Sequence, residues 1–385
     1  MKAVIAIDSF KGSLSTFESG AAVTEGIKRV YPDADILVCP LADGGEGTVE
    51  AIVSSCGGRL CTAKVCGPIG KTVEATYGVI DSRATAIIEM SAAAGLTLVP
   101  ENKRDPLYTT TYGVGELIAH AIRENSCRRF IIGIGGSATN DGGVGMLSAL
   151  GFEFFDENGR EIERGAIGLS SLSRINTENA MSELCECEFS VACDVRNVLC
   201  GENGCSAVYG PQKGADAESI KKMDAWLSEY AVLSAKATGR DCADVEGAGA
   251  AGGMGFAFTC YLDGKLRSGI ELVIETTGLE EKLSKADIVV TGEGRLDGQS
   301  CMGKAPVGVA LAAKKYGKTV IAFSGAVKDD ARLVNRHGID AFFPILRSPS
   351  TLDEAMNIEN AYRNLAGTAE QVFRLINTTA DQWRN

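Results

Sequence analysis

Short β-branched runs alternate with longer amphipathic segments along most of the chain, a pattern that predicts a mostly parallel sheet covered by helices, an α/β architecture. Lys2–Ile7 reads as a buried strand and Thr16–Val30 as a helix, opened by Ser15 and Glu18 at capping-box spacing. Ile36–Cys39 reads as a second strand, and Asp43 and Glu46 repeat the cap spacing before a helix over Gly47–Ser55. From Cys61 to Glu89 the character changes. Val- and Thr-rich runs at Leu60–Val65, Thr72–Ile80 and Ala84–Met90, separated by glycine, proline and Asp81-Ser82, predict an antiparallel meander. A helix over Glu116–Glu124, a strand over Phe130–Ile134, a helix start over Val144–Leu150 and a strand over Glu188–Cys193 follow. Ser219–Lys236 is a strongly amphipathic helix, with Ile220, Met223, Trp226, Leu227, Tyr230 and Leu233 at helical spacing. Trp226 is expected as a core anchor rather than a ring that stacks on a base. From Lys285 the opening pattern returns: strand Asp287–Thr291, helix Val307–Lys315, strand Thr319–Phe323, helix Asp329–Arg336, strand Ala341–Pro344 and a last helix around Ala361–Ile376.

Because the last third resembles the opening more than the middle, the expected organisation is a discontinuous doubly wound domain, 1–60 plus 280–385, into which a second, mixed-sheet α/β domain, 61–279, is inserted. A length of 385 residues fits two or three domains at roughly 100–200 residues each. The formal charge of −12 disfavours nucleic acid or an anionic membrane as partner, since both need basic surface. An anionic small substrate needs only a local gathering of cations. The 13 cysteines are scattered without a C-x-x-C pair, which reads as reduced thiols rather than a disulfide framework. The apolar run at the start, Ala3 to Ile7, is too short for a signal sequence or a membrane span, so the expected location is the cytoplasm. Homo-oligomerisation is left open. The 46 glycines exceed the usual share of about 7% and have no fixed period, so many backbone positions need unusual torsions or close approach to a ligand.

Ligands of open α/β sheets bind outside the carboxyl ends of strands, and five polar, mostly glycine-rich segments follow the predicted strands. They are Asp8–Ser13, Asp43–Thr48, Gly133–Gly143, Asp194–Gly214 and Gly292–Gly298. The plain alternative for each is a tight turn or a cap. Gly135-Gly136-Ser137, between a strand and a helix, offers amides and a helix N-terminus to a phosphate. Gly298–Ala305 has P-loop spacing, but Ala305 stands where the Mg²⁺-binding Ser or Thr belongs; Lys304, just before Pro306, is either a phosphate contact or a helix-surface lysine. Gly247–Gly252 matches G-x-G-x-x-G, yet Asp241–Glu246 before it is acidic rather than a buried strand, which argues for close packing or a substrate loop instead of a dinucleotide site.

Only two histidines are present, His120 and His337, so a Ser-His-Asp triad or a histidine-rich metal site has little material. Acid–base chemistry falls to carboxylates. Asp194, leaving a buried strand, is placed to accept a hydroxyl proton or ligate Mg²⁺, or else to initiate a turn. Lys11 and Arg295 are cations inside polar loops of an acidic chain. They either meet an anion, as phosphoryl transfer requires, or staple their loops by pairing Lys11 with Asp8 or Glu46 and Arg295 with Asp297.

Six strings, DSFKGS, PLADGGEGT, GIGGSATNDGG, ACDVRN with GPQKGA, GAGAAGGMGFA and TGEGRLDGQS with GKAP, run in order from Asp8 to Pro306, and together they resemble the bacterial glycerate kinase family, type I. The resemblance implies phosphorylation of D-glycerate at the expense of ATP with Mg²⁺, usually to 2-phosphoglycerate, and two α/β domains, one flavodoxin-like and discontinuous, with a cleft between them. It also implies that the motif loops line that cleft. On that basis Asp194, Lys11 and Arg295 are the expected catalytic residues, and Asp8, Ser9, Asp43 and Asp297 the substrate-binding ones. Gly135, Gly136, Ser137, Asn140, Gly292, Gly294 and Lys304 are expected at the nucleotide, and Asp141 and Glu293 at the metal. The alternatives are a non-catalytic nucleotide- or sugar-acid-binding module and, through the Gly247–Gly252 match, a dehydrogenase.

Overall fold

The structure is a computed structural model that describes residues 1–301 and 303–382. The chain divides into two compact units, one formed by residues 1–43, 50–56 and 270 onward, the other by 44–49 and 57–269.

The first unit is built on a parallel five-stranded sheet in the order Ala341–Pro344, Thr319–Val327, Ile288–Leu296, Lys2–Ile5, Asp35–Val38. Successive side chains of a strand point to opposite faces. Ala3, Ile5, Ile7, Ile288, Val290, Ile321 and Phe323 accordingly join one cluster with Ala22, Val23 and Ile27 of the Thr16–Lys28 helix and Leu365, Ala369 and Phe373 of the Ile358–Gln382 helix. The intervening Val4, Val289, Val320 and Ala322 are buried as well, so both faces are covered. The expected capping box of Ser15 and Glu18 is present. From the central pair of strands the chain winds outward in opposite directions, which makes the carboxyl ends of Lys2–Ile5 and Ile288–Leu296 a topological switch point.

Two segments differ from expectation. Gly292–Leu296 is not a loop: the strand continues through it, with Glu293 opposite Ser324 and Arg295 opposite Ala326, because its neighbour also runs on to Val327. Asp329–His337 is a 3-10 segment rather than an α-helix.

The second unit holds a mixed six-stranded sheet in the order Lys265–Arg267, Glu188–Ala192, Arg129–Gly133, Thr85–Glu89, Thr72–Ile80, Arg59–Cys66. The first four are parallel; the last two hairpin antiparallel onto Thr85–Glu89, which is the expected meander. Phe130 and Phe189, on adjacent strands, stack at 4.9 Å between ring centres. The Tyr112–Asn125 helix and the Ala217–Thr238 helix, through Leu227 and Tyr230, bury their apolar stripes in the same core. Trp226 lies half-buried on its edge. No helix among the described residues is long and apolar enough to cross a membrane.

Candidate active site

In the first unit the loop after Lys2–Ile5 turns sharply. The Asp8 amide donates to the Gly292 carbonyl at 3.0 Å, which ties the loop to the neighbouring strand, and Thr16 Oγ1 bridges from the Ile7 carbonyl to the Leu41 amide. Lys11 is exposed, and its backbone passes close over Gly294, where an added Cβ would meet the Lys11 nitrogen at 3.4 Å. Gly292 and Gly294 therefore serve strand and loop approach. Asp8 is 5% exposed and accepts the Ser9 amide at 2.6 Å. Burial, reinforced by the charges of Asp43 and Glu293 and opposed by Ser9 and Lys11, pushes its carboxyl up to about 7.

Along the next strand a second carboxylate group is set against cations. Glu293 is raised by burial, with Ser300 Oγ donating to its Oε1 at 2.6 Å and Lys304 Nζ 3.7 Å from its Oε2. Asp297, whose side chain is 3% exposed, is approached by Arg295 Nε at 3.3 Å, Lys328 Nζ at 3.8 Å and Lys304 Nζ at 3.9 Å. The pairing of Arg295 with Asp297, one of the two readings of that cation, is present. Lys304 occupies the N-cap of the Ala305–Lys314 helix, with Pro306 in its first turn. Of the P-loop-like string, Met302 lies outside the described residues. Lys328 belongs to none of the sequence motifs, although it follows a strand beside Ile288–Leu296, the same placement that marks the other loops.

In the second unit the strand ends converge on glycine. The backbone of Gly44 lies directly against Gly133, an added Cβ on Gly44 would stand 2.5 Å from that of Ala192, and one on Gly135 would stand 3.4 Å from the Gly45 Cα. Gly135 and Gly136 are exposed, whereas Ser137 and Asn140 are buried. Asn140 Nδ2 donates to Ser206 Oγ at 2.8 Å. Asp194 is exposed just past Glu188–Ala192, and its Oδ1 accepts the Gly269 amide at 3.2 Å. At the start of the Thr48–Cys56 helix the Val49 amide donates to Glu89 Oε1 at 2.9 Å, from the Thr85–Glu89 strand.

Asp141 lies inside the same loop and is set differently from its neighbours Gly135 and Gly136. It is wholly buried, and its carboxylate accepts from the Thr111 amide and hydroxyl and from the Gly143 and Gly145 amides. The same bonds occupy amides at the start of the Val144–Ala149 helix, so that N-terminus is already closed by an internal anion. The Gly135-Gly136 turn of the same loop stays exposed. Burial raises the Asp141 carboxyl, and the four donors oppose that rise. The Gly247–Gly252 string follows no strand; Gly252 (φ +70°) packs its backbone on Thr139 and Asn140 and accepts the Gly142 amide, the close-packing reading of that match. Lys213, inside GPQKGA but given no role by the sequence, is 1% exposed and donates from Nζ to the Thr139 carbonyl at 2.6 Å. Burial lowers its ammonium to about 8, with the neighbouring Cys205 and Asp141 side chains opposing the drop.

The relatives of the chain that carry an assigned activity are kinases. The model of the glycerate kinase family matches residues 3–377. The chain is 50% identical to the glycerate 2-kinase of Escherichia coli over 96% of its own length and 98% of the relative's, and 46% identical to the glycerate kinase of Bacillus subtilis over 97% of each. A crystal structure assigned to glycerate kinase 2 of Salmonella typhimurium LT2 superposes with a TM-score of 0.88 at 46% identity, covering 99% of both chains. The chain belongs to the glycerate kinase family. It is an enzyme, which sets aside the non-catalytic binding module.

Proposed function

We propose that the protein transfers the terminal phosphoryl group of ATP to the 2-hydroxyl of D-glycerate in the cytoplasm. The observation that carries the reading is Asp297, a buried carboxylate that gathers Arg295, Lys304 and Lys328 at the switch point of the first unit. A carboxylate so placed holds cations in position while leaving their remaining donors for the anionic groups of the reactants. The name of the Escherichia coli relative supports position 2.

Asp194 takes the proton of the attacking hydroxyl, oriented by the Gly269 amide; the hydroxyl oxygen bonds to the γ-phosphorus as the bond to the bridging oxygen breaks, and ADP leaves. Lys11 and Arg295 face carboxylate and phosphoryl charge. Asp8, Ser9 and Asp43 bind the hydroxy acid, and the exposed Gly135-Gly136 amides bind phosphate. Buried Ser137 and Asn140 shape that turn from within, Gly294 brings the strand close to the Asp8–Ser13 loop, and Gly292 lies against the Phe323 carbonyl of the adjacent strand.

The donor set fits Mg²⁺. Among the described residues no three His, Cys, Asp or Glu side chains cage a metal by themselves, and Mg²⁺ is ordinarily held by one or two carboxylates with substrate phosphates and water. Glu293 and Asp8, each raised by burial and by neighbouring carboxylates, are oxygen donors whose repulsion a divalent cation relieves. Glu293, with Asp43 beside it electrostatically, is the residue that would hold the ion; bound there, Mg²⁺ neutralises phosphate charge. Asp141, wholly buried with four donors on its carboxylate, is not the metal ligand in this reading. The test is ADP release measured across three-carbon acids: D-glycerate should stimulate it at least a hundredfold, and equal rates with and without acid would refute the reading.

A further inference from the structure

Lys213 is a buried cation that the proposed chemistry does not use. It ends the short Pro211–Lys213 turn between the Cys205–Tyr209 and Ala217–Thr238 helices. The turn is fixed on both sides: the Lys213 amide donates to the Gly210 carbonyl at 3.0 Å, and Gly214 (φ +98°) packs its backbone against Arg104. A backbone held this way sends the side chain inward, where Nζ reaches the Thr139 carbonyl. The same segment tethers the next residue, since Ser206 accepts from Asn140 Nδ2. Two consecutive residues of the loop that begins at Gly135 are thus pinned by one stretch, 205–213.

Filling space beside a carbonyl does not call for a charge. Burying an ammonium is costly, and the nearby buried Asp141 offsets that cost only in part, whereas an apolar side chain of similar length serves packing without it. Departures from the most stable choice concentrate where function requires them. What the ammonium adds is a fixed positive charge two residues beyond Ser137, together with a tether on the backbone leaving the exposed Gly135-Gly136 amides.

We propose that Lys213 is a positioning residue for nucleotide binding, holding the Gly135–Asn140 loop by its Thr139 carbonyl and lending it positive charge from beneath. The inference rests on the reading of that loop as the phosphate cradle of ATP. Lys213→Met removes tether and charge, while Lys213→Gln keeps a donor and removes the charge. The expected result is a KM for ATP raised at least tenfold in the Met variant and by an intermediate factor in the Gln variant, with the KM for D-glycerate within twofold in both. A KM for ATP within twofold of wild type, or equal rises in both KM values, overturns the proposal. Should Lys213→Met fail to fold, calorimetric titration of ATP into Lys213→Gln decides the matter, with at least threefold weaker binding expected and unchanged binding contrary. Gly136→Ala, whose φ of +73° disfavours a side chain, separates the two levels. If it leaves the KM for ATP unchanged, the loop reading itself fails; if it raises that KM while Lys213→Met does not, only the role of Lys213 fails.

Discussion

Lys328 Nζ stands 3.8 Å from Oδ2 of Asp297, the lysine half-exposed and the carboxylate closed to solvent. With Arg295 and Lys304 on the same carboxylate, the cations outnumber the charge they surround. Exposed ion pairs contribute about 0–1 kcal/mol to stability, so Lys328→Met should melt within about 2 °C of wild type. It should nevertheless raise the KM of one anionic substrate about tenfold, as steady-state kinetics with each substrate varied would show. Asp297→Asn removes the carboxylate shared by the half-exposed Arg295 and Lys328, while Lys304 keeps Glu293 at 3.7 Å, and should cost no more than about 1 kcal/mol in chemical denaturation.

The Asp8 carboxyl is pushed up to about 7 from an ordinary 3.8. Well below pH 4 folded and unfolded chains both hold the proton, and the group has no effect on stability. As pH rises toward 7 the unfolded chain loses that proton more readily, so stability falls, and above 7 the full penalty persists. Asp8→Asn lacks this penalty. The variant should exceed wild type by about 4 kcal/mol at pH 8, since each pH unit that separates the folded from the unfolded titration is worth roughly 1.4 kcal/mol, and the gap should close toward pH 4. Urea denaturation of both proteins across that range reads it directly; a gap independent of pH would contradict the burial argument.

Asp194→Asn should lower kcat by two orders of magnitude or more and change either KM by less than threefold, because the amide keeps the acceptor for Gly269 but not the base. Near-normal turnover would remove Asp194 from the proton-accepting role.

Gly44 and Gly47 share a φ of +90° but not their surroundings. An added Cβ on Gly44 meets Ala192, while one on Gly47 meets nothing within 4 Å. Gly47→Ala should therefore cost about 1 kcal/mol for torsion alone, and Gly44→Ala about 2 kcal/mol more for overpacking. Equal losses in denaturation experiments would mean that the close approach of Gly44 to Ala192 is relieved without cost.

Pattern showed the strands and long helices because burial imposes it: the Val- and Thr-rich run Thr72–Ile80 and the apolar stripe through Met223, Leu227 and Tyr230 reappear as sheet and core. It failed at Gly292–Leu296, where glycine and charge read as loop although the partner strand supplies the ladder. The loops were legible from their place after strands, but the use of each side chain was not. Asp141, expected at the metal, accepts amides at the start of its own helix, and Lys213, given no role by the sequence, lies in the core. Neither burial nor hydrogen-bond saturation of a loop residue leaves a periodic trace, since both depend on segments far away in the chain.

The most direct test is to incubate the protein with ATP, Mg²⁺ and D-glycerate and to identify the phosphorylated acid by phosphorus and carbon NMR alongside the ADP formed. ADP and 2-phosphoglycerate in equal amounts are expected; ADP formed without a phosphorylated acid, or phosphate on the 3-hydroxyl, would contradict the account.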